Sequence, residues 1–531
     1  MYRVRAMPTR YLVFLILVLF FPAHLIHLGM AAFNGDEGIR SLVALEMHLS
    51  GNYIATTMHG APYINKPPLF NWVLLVFFKL FGYFGEFPAR TATVFFLGVF
   101  GWAIYRFNRK DFGFEFAFLS AFMVITTGRF LIYDSMLGLI DTTFSVVVYT
   151  LMLSIYHFGL REQWWRLFLV SYLLMALGFL LKGMPAIVFQ GLSLSAGLVY
   201  FKAWRRLISI QHLAGIALAA LILGAYLWAY AQFRPVDLLL ANLLNESTKR
   251  TAVVFGWWHT LKHLFQFPVD CIYHFLPFSL LILAWASRHF WQRLQLHPFI
   301  FFQFILLAVN LPIYWSSVQV YARYLLMFIP LFTVISFHMM EQDRAAGSWR
   351  FRIFYGLLAV LVWLLPTVFL AMPFVKEVSF LPGIWPMSIG FGLTLAVVAA
   401  LFWLDRQRYL WWCLVSLLVA RIAFDCIILP ARHTGNDTSR ARSEARAKVA
   451  QYPDRVWYVY GDSYVRECTA FYLTERLGYI VRRTTDLQKE HALYLVNPNE
   501  EPLQALAFQR PPDDTLHTDY QDVNLLIYLL H

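Results

Sequence analysis

Apolar runs of the length that crosses a bilayer, about 17–25 residues, recur along this chain. They lie near 11–30, 89–107, 112–127, 140–158, 167–181, 184–201, 212–230, 269–286, 298–314, 321–339, 352–372, 384–404 and 409–428. A soluble fold has no place for so many. Only 14% of the 531 residues are charged, against 59% hydrophobic, whereas a soluble chain carries roughly 25% charged residues. The sequence therefore specifies an α-helical polytopic membrane protein of about thirteen spans. The first run follows Arg3, Arg5 and Arg10. Its apolar core exceeds the roughly 7–15 residues of a signal peptide, so a retained anchor is expected.

The formal net charge of +12 reads as a map of topology rather than as a nucleic-acid signal, because Lys and Arg resist translocation. Residues 69–84 decide the parity: they are apolar but contain Lys79. If they do not cross, every second loop carries an arginine cluster, namely Arg106/Arg109/Lys110, Arg161/Arg166, Lys202/Arg205/Arg206, Arg288/Arg293, Arg344/Arg350/Arg352 and Arg406/Arg408. Those loops, with the N-terminus, are then cytoplasmic. If 69–84 crosses, all the clusters fall outside. The positive-inside rule favours the first arrangement, with 69–84 as a juxtamembrane helix.

That topology gives a membrane domain over 1–430, with a first extracytoplasmic loop at 31–88, and a soluble extracytoplasmic domain over 431–531. In the tail, VWYVY at 456–460 and ALYLV at 492–496 read as buried strands, with a helix over 464–477 and a further strand at 478–482. This is a small α/β unit. The cysteines at 271, 413, 426 and 468 show no CxxC spacing, so neither a disulfide framework nor a zinc site is indicated.

Chemistry-bearing residues gather in the outer loops. Asp36 and Glu37 open a helix directly after the first span, where backbone N–H groups favour a carboxylate; an N-cap suits the same spacing. Lys66 precedes two prolines in Tyr63-Ile64-Asn65-Lys66-Pro67-Pro68-Leu69, which hold it rigidly at the membrane boundary. Asp141 starts a span, an expensive position for a carboxylate unless it faces a polar cavity, and Asp134 lies in the loop before it. Lys182-Gly183 interrupts two spans, and Tyr321-Ala322-Arg323-Tyr324 opens another. Two converging cations suit a phosphate; snorkelling accounts for either one alone. His259 and His263 are four apart, but the Glu of an HExxH motif is missing, so no metal site is assigned.

Taken in order, these pieces resemble the GT-C fold glycosyltransferases, and most closely the branch that holds protein O-mannosyltransferases and the aminoarabinose transferases of lipid A. The pieces are a DE pair after the first span, Gly51-Asn52-Tyr53, a Y-x-x-K-P-P-L stretch, an aspartate opening a later span, a K-G break and an A-R-Y-L entry. The resemblance covers residues 10–340 by motif. It implies a polyprenyl-phosphate-linked sugar donor, a lipid, glycan or protein acceptor, and inversion at the anomeric carbon. It also implies a bacterial inner membrane with the C-terminal domain periplasmic. By motif, Asp36 matches the base or acceptor-orienting acid, with Glu37 beside it. Asp141 matches the second acid, and Asp134 is the alternative to it. Lys66, Lys182 and Arg323 match the donor-phosphate ligands, with Tyr63 and Tyr324 as secondary candidates. No cofactor and no metal is expected, although use of a divalent metal differs within this fold class. The expected partners are the donor, the acceptor and membrane lipids, with no nucleic acid. A lipid or sugar transporter is the rival reading; it predicts inverted repeats and mid-span charges, and neither is evident.

Overall fold

A computed structural model describes residues 8–248, 256–434, 436–487, 491–499, 510–518 and 524–530. In hydrocarbon every backbone N–H and C=O must be satisfied within the segment, which leaves the helix as the open choice for chains like this one. Among the described residues, eight helices are long and apolar enough to span, and Thr9–Leu25 and Pro185–Tyr200 are shorter apolar helices. Helices such as Ile210–Ala231, Trp349–Ala371 and Ile384–Leu404 expose large apolar side chains, among them Trp228, Val360 and Val397. A helix apolar all round with an uncovered surface is one that lipid solvates. The protein is a multi-span membrane protein.

Two expected spans, 89–107 and 112–127, run on as a single 40-residue stretch, Glu86–Ile125. They part at Gly113, whose φ of 78° no ordinary L residue adopts readily. Other expectations need correction. The run 269–286 is not one helix: it is the end of Trp257–His274, which contains Pro268, followed by a 3₁₀ segment Phe278–Ala286 beyond Pro277. Each proline removes a backbone donor and disfavours helix before it. The run 321–339 likewise divides into a 3₁₀ turn Ala322–Leu325 and the helix Ile329–Ala345, with Pro330 in its first turn.

Residues 69–84 form the helix Leu69–Phe81, only 13 residues long. At 1.5 Å per residue this is about 20 Å, short of the roughly 30 Å hydrocarbon core. One face (Phe70, Leu74, Phe78) is buried, whereas Val76 and Leu80 are exposed. That is the form expected of a juxtamembrane segment.

The tail folds into a five-stranded sheet made of β3 (Val456–Tyr460), β4 (Arg482–Thr484), β5 (Ala492–Val496), β6 (Asp514–His517) and β7 (Asn524–Leu529). The order is β4-β3-β5-β7-β6, parallel across the first three and antiparallel thereafter. The central β5 is wholly buried. The strand expected at 478–482 starts later because Gly478, at φ 73°, caps the helix Glu467–Leu477 and the chain must turn before it extends.

This sheet unit is clamped to the first loop. The helix Asp36–Ser50 lies on Glu467–Leu477 so closely that a Cβ on Gly38 would stand 2.5 Å from Cys468 Sγ and 3.1 Å from its backbone N. The Phe33 N–H donates to Tyr472 Oη at 2.7 Å, and that hydroxyl donates to Glu86 Oε1 at 2.8 Å. A small hairpin, β1 (Thr57–Met58) with β2 (Ala61–Pro62), is gathered by Glu46, which accepts from Thr57 Oγ1 and the His59 N–H, each at 2.6 Å. The Arg483 N–H donates in turn to the His59 carbonyl.

Gly38→Val therefore forces the two helices apart. Overpacking of this kind costs about 1–3 kcal/mol, and thermal unfolding in detergent should show a lower midpoint. A second glycine change at Gly51, where an added Cβ meets no other part of the fold within 4 Å, tests for a different effect: its φ of 70° makes Gly51→Ala strained through the backbone alone.

Candidate functional site

Glu37 is the anchor from which the site is hung. It is fully buried, and its carboxylate accepts from Arg90 Nε at 3.1 Å, Arg90 Nη2 at 2.7 Å, the Asn34 N–H at 2.9 Å and the Gly138 N–H at 2.9 Å. Arg90 spends its remaining donors on the carbonyls of Leu28, Ala31 and Ala32. The pair thus ties the end of the first span to the loop at 138. The sequence expectation for Glu37 is a catalytic acid; in the structure both its oxygens are engaged and neither faces solvent, which is the environment of an anchor.

Asp36, one residue earlier, points the other way. It opens the helix Asp36–Ser50, after Gly35 at φ 55°, and its side chain is 48% exposed. Arg323 Nη2 donates to Asp36 Oδ2 at 2.5 Å. The same guanidinium lies with Nε 3.5 Å from Asp141 Oδ2, and Asp141 Oδ1 accepts from Lys182 Nζ at 2.5 Å. Asp141 is in the first turn of Ile140–Gly159 and only 4% exposed. Lys182 ends the helix Trp164–Lys182, where Gly183 takes φ 81° and Pro185 starts the next helix. Its ammonium sits 3.9 Å from the centre of the Tyr324 ring. An alternating chain results, Asp36–Arg323–Asp141–Lys182, built from four separated stretches of sequence.

Lys66 and Lys182 line one cavity of about 200 Å³, together with Glu246, Tyr324 and apolar residues including Val188, Phe189 and Ile313. Lys66 Nζ is 3.9 Å from Glu246 Oε2. Asn242 holds the lysine's loop by donating to the Ile64 carbonyl and Asn65 Oδ1. Tyr63 is buried beneath the Arg40 guanidinium, 5.5 Å from its ring centre, and burial pushes its phenol up from the usual value. A separate, almost wholly apolar cavity of about 260 Å³ is lined by Phe267, Trp285, Trp315, Leu325, Phe328 and Phe332, beginning two residues beyond Arg323.

Asp134 is 2% exposed and accepts from Arg129 Nε at 2.9 Å, while its Oδ1 has no hydrogen-bond partner among the described residues. Burial raises its carboxyl to about 6, opposed by Arg129 and helped by nearby Asp141. His259 and His263 lie on Trp257–His274; among the described residues no three His, Cys, Asp or Glu side chains gather closely enough to hold a metal ion.

Sequence reasoning missed Arg90, Arg129, Asn242 and Glu246. Arg90 carries a usable signal, a charge within an apolar span. Asn242 and Glu246 lie on the leucine-rich helix Val236–Thr248, where a polar residue reads as part of an exposed face.

Residues 65–229 match the family described as dolichyl-phosphate-mannose-protein mannosyltransferase. An uncharacterized protein of Aquifex aeolicus (strain VF5) is 26% identical over 290 residues, 53% of this chain and 55% of that one; the chain spans about half the length of this relative. The crystal structure of ArnT from Cupriavidus metallidurans bound to undecaprenyl phosphate superposes over 98% of both chains at 18% identity, with a TM-score of 0.66. Its apo state gives 0.65 over 97% at 19% identity. The fold is that of the GT-C glycosyltransferases. Within this chain, the matched stretch contains Lys66, Asp134, Asp141 and Lys182, whereas Asp36 and Arg323 flank it on either side.

The geometry separates two neighbouring acids by experiment. Glu37→Gln weakens a pairing on which buried Arg90 depends; breaking such a pair costs about 3–5 kcal/mol, and thermal unfolding should reveal it. Asp36→Asn, at an exposed pair, should change stability by less than about 1 kcal/mol.

Asp134 adds a pH test. Its raised value means that the folded state binds the proton more tightly, so its contribution falls as pH rises from the ordinary carboxyl range through about 6. Unfolding midpoints measured from pH 4 to 8 should lose this slope in Asp134→Asn.

Proposed function

We propose that this protein is a membrane glycosyltransferase. It moves a sugar from a polyprenyl-phosphate donor to the hydroxyl of a lipid, glycan or protein acceptor at the extracytoplasmic membrane boundary. The observation that carries this reading is Arg323 held between Asp36 and Asp141, with Lys182 bonded to the same Asp141. An exposed acid, two cations and an adjoining apolar cavity are the parts that a phosphate on a long hydrocarbon chain requires. The relatives support it: ArnT was crystallised with undecaprenyl phosphate, and the matching family is described by a dolichyl-phosphate sugar.

In this scheme Lys66, Lys182 and Arg323 grip the donor phosphate, and the apolar cavity beyond Arg323 takes the isoprenoid chain. A phosphate competes with Asp36 for Arg323, so donor binding frees the Asp36 carboxylate. Asp36 then accepts the proton of the acceptor hydroxyl as its oxygen bonds to the anomeric carbon. The bond from that carbon to the phosphate oxygen breaks, and the polyprenyl phosphate departs with the electron pair. The cations stabilise the charge growing on it. One displacement inverts the anomeric centre. Asp141 keeps Lys182 and Arg323 aimed. The domain division at about 430 belongs to the same reading, with the sheet unit closing over the first loop.

Mass spectrometry of lipids and envelope glycans from cells lacking the protein tests this. Deletion should accumulate one polyprenyl-phosphate sugar and remove the matching sugar mass from one glycan. Asp36→Asn should reproduce that profile, with turnover lowered by about 10²–10⁴-fold, yet still bind polyprenyl phosphate. A wild-type profile from Asp36→Asn would reduce Asp36 to a helix cap, and an unchanged profile on deletion would remove the transferase reading.

A further inference from the structure

One basic cavity plays no part in this scheme. Its volume is about 520 Å³, and its walls include His27, Arg90, Tyr133, Arg421, Arg432 and His433. It shares no residue with the cavity of Lys66 and Lys182. The loop between Ile125 and Ile140 separates the two: Tyr133, Met136 and Leu137 face the basic cavity, while Asp134 feels Asp141 and Arg323 on the other side.

Arg421 is the unusual member. It is 2% exposed within the last apolar stretch, Arg406–His433. Its Nε donates to Asp425 Oδ2 at 2.9 Å, and its Nη1 has no hydrogen-bond partner among the described residues. A buried guanidinium nitrogen without a partner is costly unless something else supplies the acceptor. Arg432, exposed at the rim, makes no ion pair among the described residues. Both guanidinium carbons lie 5.7 Å from the Phe424 ring centre, so the two arginines are gathered by one aromatic side chain. Asn436 Nδ2 is 3.0 Å from His433 Nδ1; with Nδ1 as acceptor, Nε2 carries the proton and is a further donor.

The position of the cavity says what brings the anion. It lies where Thr9–Leu25 and Arg406–His433 end, and these two helices pack together. The end of a span is the depth of lipid phosphate groups, and clustered arginines there read as headgroup ligands. We propose that this cavity is a second phosphate site, distinct from the one assigned to the donor, and that it seats the phosphate of an anionic membrane lipid between Arg421 and Arg432. The occupied site braces the outer face of the loop that carries Asp134.

The test uses the full chain in detergent micelles, with phosphatidic acid, diacylglycerol, inorganic phosphate and undecaprenyl phosphate as separate probes read by native mass spectrometry and thermal protection. Phosphatidic acid should bind and protect where diacylglycerol does not. Arg432→Glu, a change at an exposed residue, should weaken phosphatidic acid by about tenfold or more, the size of one lost charged hydrogen bond, and leave undecaprenyl phosphate unaffected. Lys182→Gln should do the reverse. Equal loss of both lipids in Arg432→Glu would overturn a separate site, and unchanged phosphatidic acid binding would overturn the site altogether. Protection by inorganic phosphate without protection by the lipid would overturn the lipid assignment. Failure of undecaprenyl phosphate to bind the wild type would count against the proposed function and not against this cavity.

Discussion

Everything at the site depends on one buried ion pair. Glu37 and Arg90 are almost completely removed from solvent, and between them they engage the backbone at 28, 31, 32, 34 and 138. Such a pair contributes little net stability, because desolvation offsets the Coulomb attraction. Its value is positional. It fixes where the first span ends and how the next helix begins, so Asp36 emerges on the far side of the turn from Glu37. Adjacent carboxylates thereby acquire opposite roles.

Arg323 solves a second problem. Asp36 and Asp141 come from different loops, and the Arg323 guanidinium between them is the partner they share, with Lys182 bonded to the other oxygen of Asp141. The resting site thus pairs two acids with two cations and is closed on itself. In the proposed reaction the donor's phosphodiester, which carries one negative charge and gains a second as it leaves, displaces one acid from Arg323, which exposes a base only when the leaving group is already held. A site built from acids alone would repel the donor, and one built from cations alone would lack the base.

The helical architecture was legible because it rests on long apolar runs, a signal summed over many residues. Breaks inside a run were less legible: the apolar stretch at 269–286 continues unchanged through Pro277, although the backbone cannot. Of the candidate residues, Asp36, Asp141, Lys182 and Arg323 converge, since each stood out as a charge at the end of a span. Glu37 looked equivalent to Asp36 because a sequence does not say which way a side chain leaves the first turn of a helix. Its assignment needed Arg90, which is 53 residues away; a charge within an apolar span marks Arg90 as unusual but does not name its partner. The requirement for Gly38 is equally remote: Cys468, 430 residues later, occupies the space of a Cβ.

The broken segments and the site coincide for a physical reason. Irregular backbone at membrane depth leaves N–H and C=O groups that lipid cannot satisfy, so it is tolerated only where protein or a water-filled cavity meets it. Lys182 precedes the break at Gly183, Arg323 occupies a 3₁₀ turn ahead of Pro330, and Asp134 begins another short 3₁₀ turn. Each interruption both frees a side chain from the helical surface and demands a polar neighbour. A charge placed there answers the backbone's need for polar company, while the break aims the charge into the cavity. Positions that a continuous helix would have committed to lipid are in this way turned inward to polar partners.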